Sequence, residues 1–215
     1  TELGRYPEAV AEYRKILDRS PKDTEAMSNL GWCLINLQRF DEATATFQRV
    51  LAIFPDHIYA KASLANIAFV KGDYREASRL YKEVLRIEPN HMPSIKTMAK
   101  MFEEAGKLDE AAVFWAHAVE VDPDNFELWM SLGWVKFEQG KHDEALAALE
   151  RAREVAPDAP ELLAAVGDVQ LAMGKSEEAR ASYQAAASQF AKYLASGQVP
   201  PEQREELRRK IEKYR

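Results

Sequence analysis

Four histidines, one cysteine and a lysine pair are the side chains of this 215-residue sequence whose types invite chemistry. His57 and His91 stand 34 residues apart in equivalent turns, His117 and His142 lie elsewhere, and Cys33 is alone. Equivalent points of stacked helical units are separated by about 10 Å, the spacing of packed helices, whereas one metal ion needs its ligands within about 2 Å. The histidines therefore read as polar turn residues, with His142 a partly buried one. A lone cysteine forms neither an internal disulfide nor a thiolate cluster, and Cys33 lies within an apolar helix face, so it reads as a small buried hydrophobe. There is no phosphate-binding glycine loop, no Gly-x-Ser-x-Gly and no His-Glu-x-x-His, so no catalytic residue, cofactor or metal is expected. Lys96 and Lys100, at i and i+4, present two ammonium groups from one side of a helix.

The balance of charges narrows the partners. With 29 Lys and Arg against 35 Asp and Glu the net charge is −6, which disfavours a phosphate backbone or an anionic membrane surface. The content, 47% hydrophobic and 30% charged, is that of a soluble folded chain able to bury about 70% of its unfolded surface. No stretch approaches the roughly 18 apolar residues of a membrane span, and Thr1 to Arg5 do not form a signal peptide. Opening without Met is compatible with removal of an upstream segment, so cytoplasm and periplasm both stay open.

The elements that hold these side chains are set by a period. Pro21, Pro55, Pro89, Pro123 and Pro157 are each 34 residues apart, a coincidence with a chance of about 10⁻⁵ at ordinary proline frequency. Counting slots from the third residue after each proline gives repeats 24–57, 58–91, 92–125, 126–159 and 160–193, with residues 1–23 forming the second half of an earlier unit. Ala9, Ala43, Ala77, Ala111, Ala145 and Ala179 share one slot, and Tyr13, Phe47, Tyr81, Trp115, Leu149 and Tyr183 another. Slot 8 holds only small residues: Gly31, Ala65, Ala99, Gly133 and Gly167. Glycine inside a helix costs up to about 1 kcal/mol against alanine, so its use there points to two helices crossing at close range. Each unit reads as an antiparallel helical hairpin: in 126–159 Trp129, Leu132 and Gly133 mark one helix, Gly140 to Asp143 a break, and Ala145, Leu149 and Ala152 a second helix. Proline ends the second helix, and polar pairs after it cap the next.

Trp129-x-x-Leu132-Gly133, Ala145, Pro157 and the period resemble the tetratricopeptide repeat pattern over residues 1 to about 193. Ala68, Lys136, Arg153, Gln170 and Ala191 depart from it, touching single repeats rather than the assignment. The resemblance implies an all-α fold, a right-handed α-solenoid of stacked helix-turn-helix repeats in one domain spanning 1–215. Residues 201–215, with Leu207, Ile211 and Tyr214 on one face, read as a C-terminal capping helix. The N-terminal edge carries no such cap, which leaves a longer array or cover by a second copy, a homo-oligomer, as expectations.

If slots 4, 7, 8 and 11 of each first helix pack inward, slots 2, 5, 9, 12 and 13 occupy another face, which the resemblance implies is a concave groove. The partner-binding candidates on it are Trp32, Ile35, Tyr59, Asn66, Phe69, Lys96, Lys100, Met130, Trp134, Phe137 and Asp168. Slot 9 can share its ring with neighbouring helices, so Phe69 and Phe137 are expected to be less hidden than Trp32 and Trp134. A ligand with apolar anchors and an acidic group near the two lysines would suit this face. Family members that clamp a chaperone tail use Lys and Asn in successive first helices, and others carry an asparagine ladder in slot 6; here Ser28, Ala62, Ser131 and Ala165 break the clamp and Asn29 is the ladder's one rung. The expected function is a non-enzymatic protein-interaction scaffold or adaptor that binds a protein or peptide segment, neither nucleic acid nor membrane. The alternatives are a docking segment of a larger enzyme and a self-assembling scaffold.

Overall fold

The computed structural model describes residues 5–196 together with Glu205, Arg208, Arg209 and Glu212. The proposed capping helix at 201–215 lies outside the described residues apart from those four. Among the described residues there are eleven helices and no strand. They are α1 (Tyr6–Arg19), α2 (Thr24–Asn36), α3 (Phe40–Ile53), α4 (Ile58–Val70), α5 (Tyr74–Ile87) and α6 (Met92–Glu104), followed by α7 (Leu108–Val121), α8 (Phe126–Glu138), α9 (His142–Val155), α10 (Pro160–Ala172) and α11 (Ser176–Ala195). The chain divides into two compact units, Thr1–Met98 and Ala99–Arg215, each a stack of helical hairpins of the α-solenoid class.

Proline spacing produces the hairpin ends. Helices α3, α5, α7 and α9 stop two residues before Pro55, Pro89, Pro123 and Pro157, and the intervening Phe54, Glu88, Asp122 and Ala156 are extended at φ −126, −128, −136 and −140°. Proline forces this on the residue before it. At the other hairpin end the chain turns through a left-handed residue whose N–H and the next close on carbonyls of the finished helix, as in Gly72 to Phe69 and Asp73 to Ala68, both 2.9 Å. Gly72, Gly106, Gly140 and Gly174 occupy that position with φ between 68 and 80°, and Gln38 takes it in the first hairpin at φ 58°.

The two helices of a hairpin differ in kind. Second helices bury one narrow stripe at i, i+3, i+4 and i+7: Ala43, Thr46, Phe47 and Val50 in α3, and Ala145, Ala148, Leu149 and Ala152 in α9. First helices are apolar on more sides, with Ala26, Met27, Ser28, Leu30, Gly31, Cys33 and Leu34 all buried in α2. A helix enclosed in this way has neighbours on several sides. Slots 3 and 10, such as Ala60 and Ile67, are thus core positions in addition to the four expected, and slot 5 is buried at Ser28, Ala62 and Ala164. The small residue of slot 8 is where the helices meet. A Cβ added to Gly31 would lie 2.5 Å from the Phe47 ring, one on Gly167 2.6 Å from Tyr183, and one on Gly133 2.9 Å from a Leu149 methyl.

Two of the positions that depart from the family pattern, Lys136 and Gln170, make polar contacts between helices. Lys136 Nζ pairs with Glu144 Oε2 at 2.6 Å, and Gln170 Oε1 accepts from Ser182 Oγ at 2.8 Å. Buried Lys61, in the slot that holds Trp129 in α8, pairs with Glu83 Oε2 at 2.6 Å.

Replacing Gly31 by Ala drives a methyl into the fully buried Phe47 ring, and denaturant unfolding should show a loss of about 1–3 kcal/mol despite alanine's helix preference. Gly133→Ala, facing the mobile end of Leu149, should lose less. Gln38→Gly relieves a left-handed backbone and should stabilise by about 0.5–1 kcal/mol in the same assay.

Candidate functional site

In the first unit the candidate residues project from α2, α4 and the start of α6. Trp32 is 47% exposed and packs edge-on against Tyr6 of α1, with ring centroids 5.2 Å apart. Tyr59, 43% exposed, meets buried Phe47 edge-on at 5.9 Å, and Ile35 is half-buried over the same core. Phe69 is half-buried, its ring edge-on to Tyr74 at 5.8 Å. Asn66 is exposed, yet its Oδ1 accepts the hydroxyl of Tyr81, whose ionisation burial pushes up to about 12. Half-buried Lys96 belongs to this unit and takes part in no ion pair among the described residues.

In the second unit the candidates project from the end of α6, α8 and α10. Trp134 is 47% exposed, with its ring 5.6 Å from that of Phe137, which is half-buried and lies 5.7 Å from the His142 ring. Met130 is half-buried, Leu171 is 53% exposed and Lys100 is exposed. Asp168 Oδ1 accepts from the Tyr183 hydroxyl at 2.8 Å. Glu103 Oε2 accepts from Trp115 Nε1 at 2.8 Å; burial, and then the nearby charges of Glu138 and Glu104, hold its carboxyl above the ordinary value, against the opposing pull of Trp115 and Lys100.

The tryptophans are thus more open than the phenylalanines, the reverse of the expected order. The reason is local: Phe69 and Phe137, at the last turn of their helices, fold onto Tyr74 and His142 at the start of the second helix of their own hairpin. Spacing alone also missed the bonds from second-helix tyrosines. Their signal is a pairing of slots: polar Asn66 and Asp168 sit opposite Tyr81 and Tyr183, whereas Trp32 and Trp134 sit opposite Phe47 and Leu149, which have nothing to donate.

The remaining chemistry is structural. Nδ1 of His57 accepts from Ala60 N at 3.2 Å, and Nδ1 of His91 from Ser94 N at 3.3 Å, so both rings cap the helices that follow them. Among the described residues no group of three His, Cys, Asp or Glu side chains could hold a metal ion. Cys33 is 3% exposed and burial pushes its thiol up, away from the reactive thiolate. No helix among the described residues is long and apolar enough to cross a membrane. Cavities in the first unit lie between second helices: one of about 430 Å³ is bordered by Leu51, Leu64 and Leu80, and another of about 450 Å³ repeats it 34 residues earlier at Leu17 and Leu30. Their recurrence marks them as furrows of the stacking.

Two models described as tetratricopeptide repeat match residues 1–67 and 132–193, and one described as the TT21 fifth ARM repeats domain matches residues 58–156. No curated protein matches the sequence. Among solved structures, MamA protein superposes with a TM-score of 0.72 at 18% identity, covering 82% of this chain and 96% of that one. YrrB, described as a TPR protein with an unusual peptide-binding site, gives 0.70 at 19% identity, covering 82% of this chain and 91% of its own. A double mutant of MamA RS-1 gives 0.70 at 13% identity over 79% and 96%. At these identities the likeness is one of fold.

A glutamate whose folded value is raised contributes stability only while it is protonated. That contribution is lost as pH rises from the ordinary value of about 4.3 through the raised one, and ionised Glu103 then weakens the fold. Glu103→Gln, which keeps an oxygen for Trp115 Nε1, should gain stability relative to the parent as pH rises from about 4.3 to neutrality. Chemical denaturation across that range measures the difference, and a pH-independent difference would exclude the effect.

Proposed function

Starting from a chain that belongs to the tetratricopeptide-repeat proteins, we propose that it is a non-enzymatic interaction scaffold whose first-helix faces hold a segment of a partner protein. The observation that carries this reading is the state of Trp32 and Trp134. Both occupy slot 9, both are 47% exposed, and the binding-face slots of the same unit hold further apolar side chains: Ile35, Tyr59 and Phe69 in one unit, Met130, Phe137 and Leu171 in the other. Water-facing tryptophan is costly to leave bare, and contiguous exposed apolar area is a mark of binding surfaces. Tryptophan is also the side chain that most often dominates interface energy, because it buries a large area with few rotors to freeze.

The polar members of the face have a different part. Asn66 and Asp168 are tied to tyrosines of their own hairpins, so they offer a partner only their remaining hydrogen-bonding capacity in fixed orientations. Lys96 and Lys100 are the cations of the candidate set, and neither takes part in an ion pair among the described residues. The peptide-binding site ascribed to YrrB, a TPR protein of similar fold, supports the same use of the fold here.

Trp32→Ala combined with Trp134→Ala should leave helix content unchanged by circular dichroism. In affinity capture from cells that make the protein, followed by mass spectrometry, the yield of co-purifying partner should fall by about tenfold or more. Equal yield from parent and variant would reject the first-helix faces as the binding surface.

A further inference from the structure

Ion pairing in the second unit is divided between the two kinds of helix. On second helices Asp109 meets Lys141 at 3.7 Å, Glu144 meets Lys136 at 2.6 Å and Glu150 meets Arg153 at 3.0 Å. Glu154 is paired with Arg151. The carboxylates at the binding-face slots of α6, α8 and α10 are Glu103, Glu104, Glu127, Glu138, Glu161 and Asp168, and none of them takes part in an ion pair among the described residues. Lys100 is the one cation at those slots of this unit; Lys136 of α8 is drawn to Glu144 on α9. Glu138 lies near enough to Glu103 for its charge to oppose ionisation of the Glu103 carboxyl. The same slots carry exposed Trp134 and Leu171. In the first unit the corresponding slots hold Glu25 as their only carboxylate, so this chemistry belongs to the second.

We propose that the first-helix face of the second unit docks a cationic segment of a partner protein, with an apolar side chain seated against Trp134 and Leu171 and flanking lysines or arginines meeting the unpaired carboxylates. The inference rests on the scaffold reading and adds the charge of the occupant. Neutralising carboxylates that already repel one another adds attraction and removes repulsion together, so a cationic occupant gains on both counts and an anionic one loses on both. A guanidinium or ammonium beside the exposed Trp134 ring gains further from its face. The expectation of an acidic ligand near Lys96 and Lys100 is therefore replaced, for this unit, by a basic one.

The test uses the full chain and two fluorescein-labelled synthetic peptides with leucines at the same helical spacing, one with lysine and the other with glutamate at the remaining positions, followed by anisotropy. The lysine peptide should bind, and less tightly as salt is raised from about 0.05 to about 0.5 M. Glu104→Gln with Glu127→Gln and Glu138→Gln should weaken it by about tenfold or more, as should Trp134→Ala. A second-helix triple, Glu110→Gln with Glu120→Gln and Glu177→Gln, should leave it unchanged, with circular dichroism confirming the fold of each variant. Equal binding of the glutamate peptide, or indifference to the first-helix triple, overturns the charge of the occupant; if Trp134→Ala still abolishes binding, the scaffold reading survives. A lysine peptide that does not bind, or binds regardless of Trp134, overturns the proposed face.

Discussion

Each hairpin depends on one close approach, that of a side-chain-free or nearly side-chain-free point on the first helix to the largest apolar residue of the second. Gly31 under Phe47, Gly133 under Leu149 and Gly167 under Tyr183 leave no room for another methyl group without movement. Because the helices touch there, the residue one position on, slot 9, is carried past the contact to the open edge of the hairpin. What stands opposite then decides its chemistry. A tyrosine hydroxyl reaching the edge needs an acceptor and finds Asn66 or Asp168; Phe47 and Leu149 need none, and there the edge carries tryptophan. Packing inside the hairpin and the character of the binding face are thereby linked through one pair of neighbouring positions.

Enclosure of the first helices has a second consequence. With neighbours on several sides they keep only a narrow strip open to water, and the strip is where Trp32, Tyr59, Trp134 and Leu171 remain exposed. Second helices, by contrast, expose most of their circumference and carry the charge pairs, such as Arg14 with Glu42 at 2.8 Å and Arg79 with Glu76 at 2.7 Å. Exposed pairs of this sort contribute little to stability. In the second unit such pairs engage second-helix carboxylates, while those at the binding-face slots of the first helices take part in no ion pair among the described residues.

The architecture was legible because proline and glycine act through the backbone, and backbone effects are local. Pro55 and its successors fix the second-helix ends, and a turn glycine marks the hairpin bend in four hairpins; Gln38, in the fifth, adopts the same left-handed turn without the residue type that announces it. The binding face was legible only in outline. Helical spacing places Trp32 and Phe69 on one side, but which ring stays open depends on Tyr6 and Tyr74, partners from other helices. The same holds for charge: helical spacing separates Lys136 from Glu138 by face, but only the position of Glu144 on α9 shows that the lysine's charge is met there. Slots 3 and 10, outside the four positions expected to pack inward and foreseen as buried only at Cys33, are buried because first helices contact the preceding hairpin as well as their own partner, which no single amphipathic stripe reveals.

Hydroxyl-radical footprinting of the chain, free and with a captured partner bound, bears most directly on whether the first-helix strip is the working surface. The account predicts that oxidation falls at Trp32 or Trp134 on partner binding while exposed residues of the second helices, Val113 and Tyr193, react as before. Protection confined to the second helices, with both tryptophans reacting at their free rate, would contradict it.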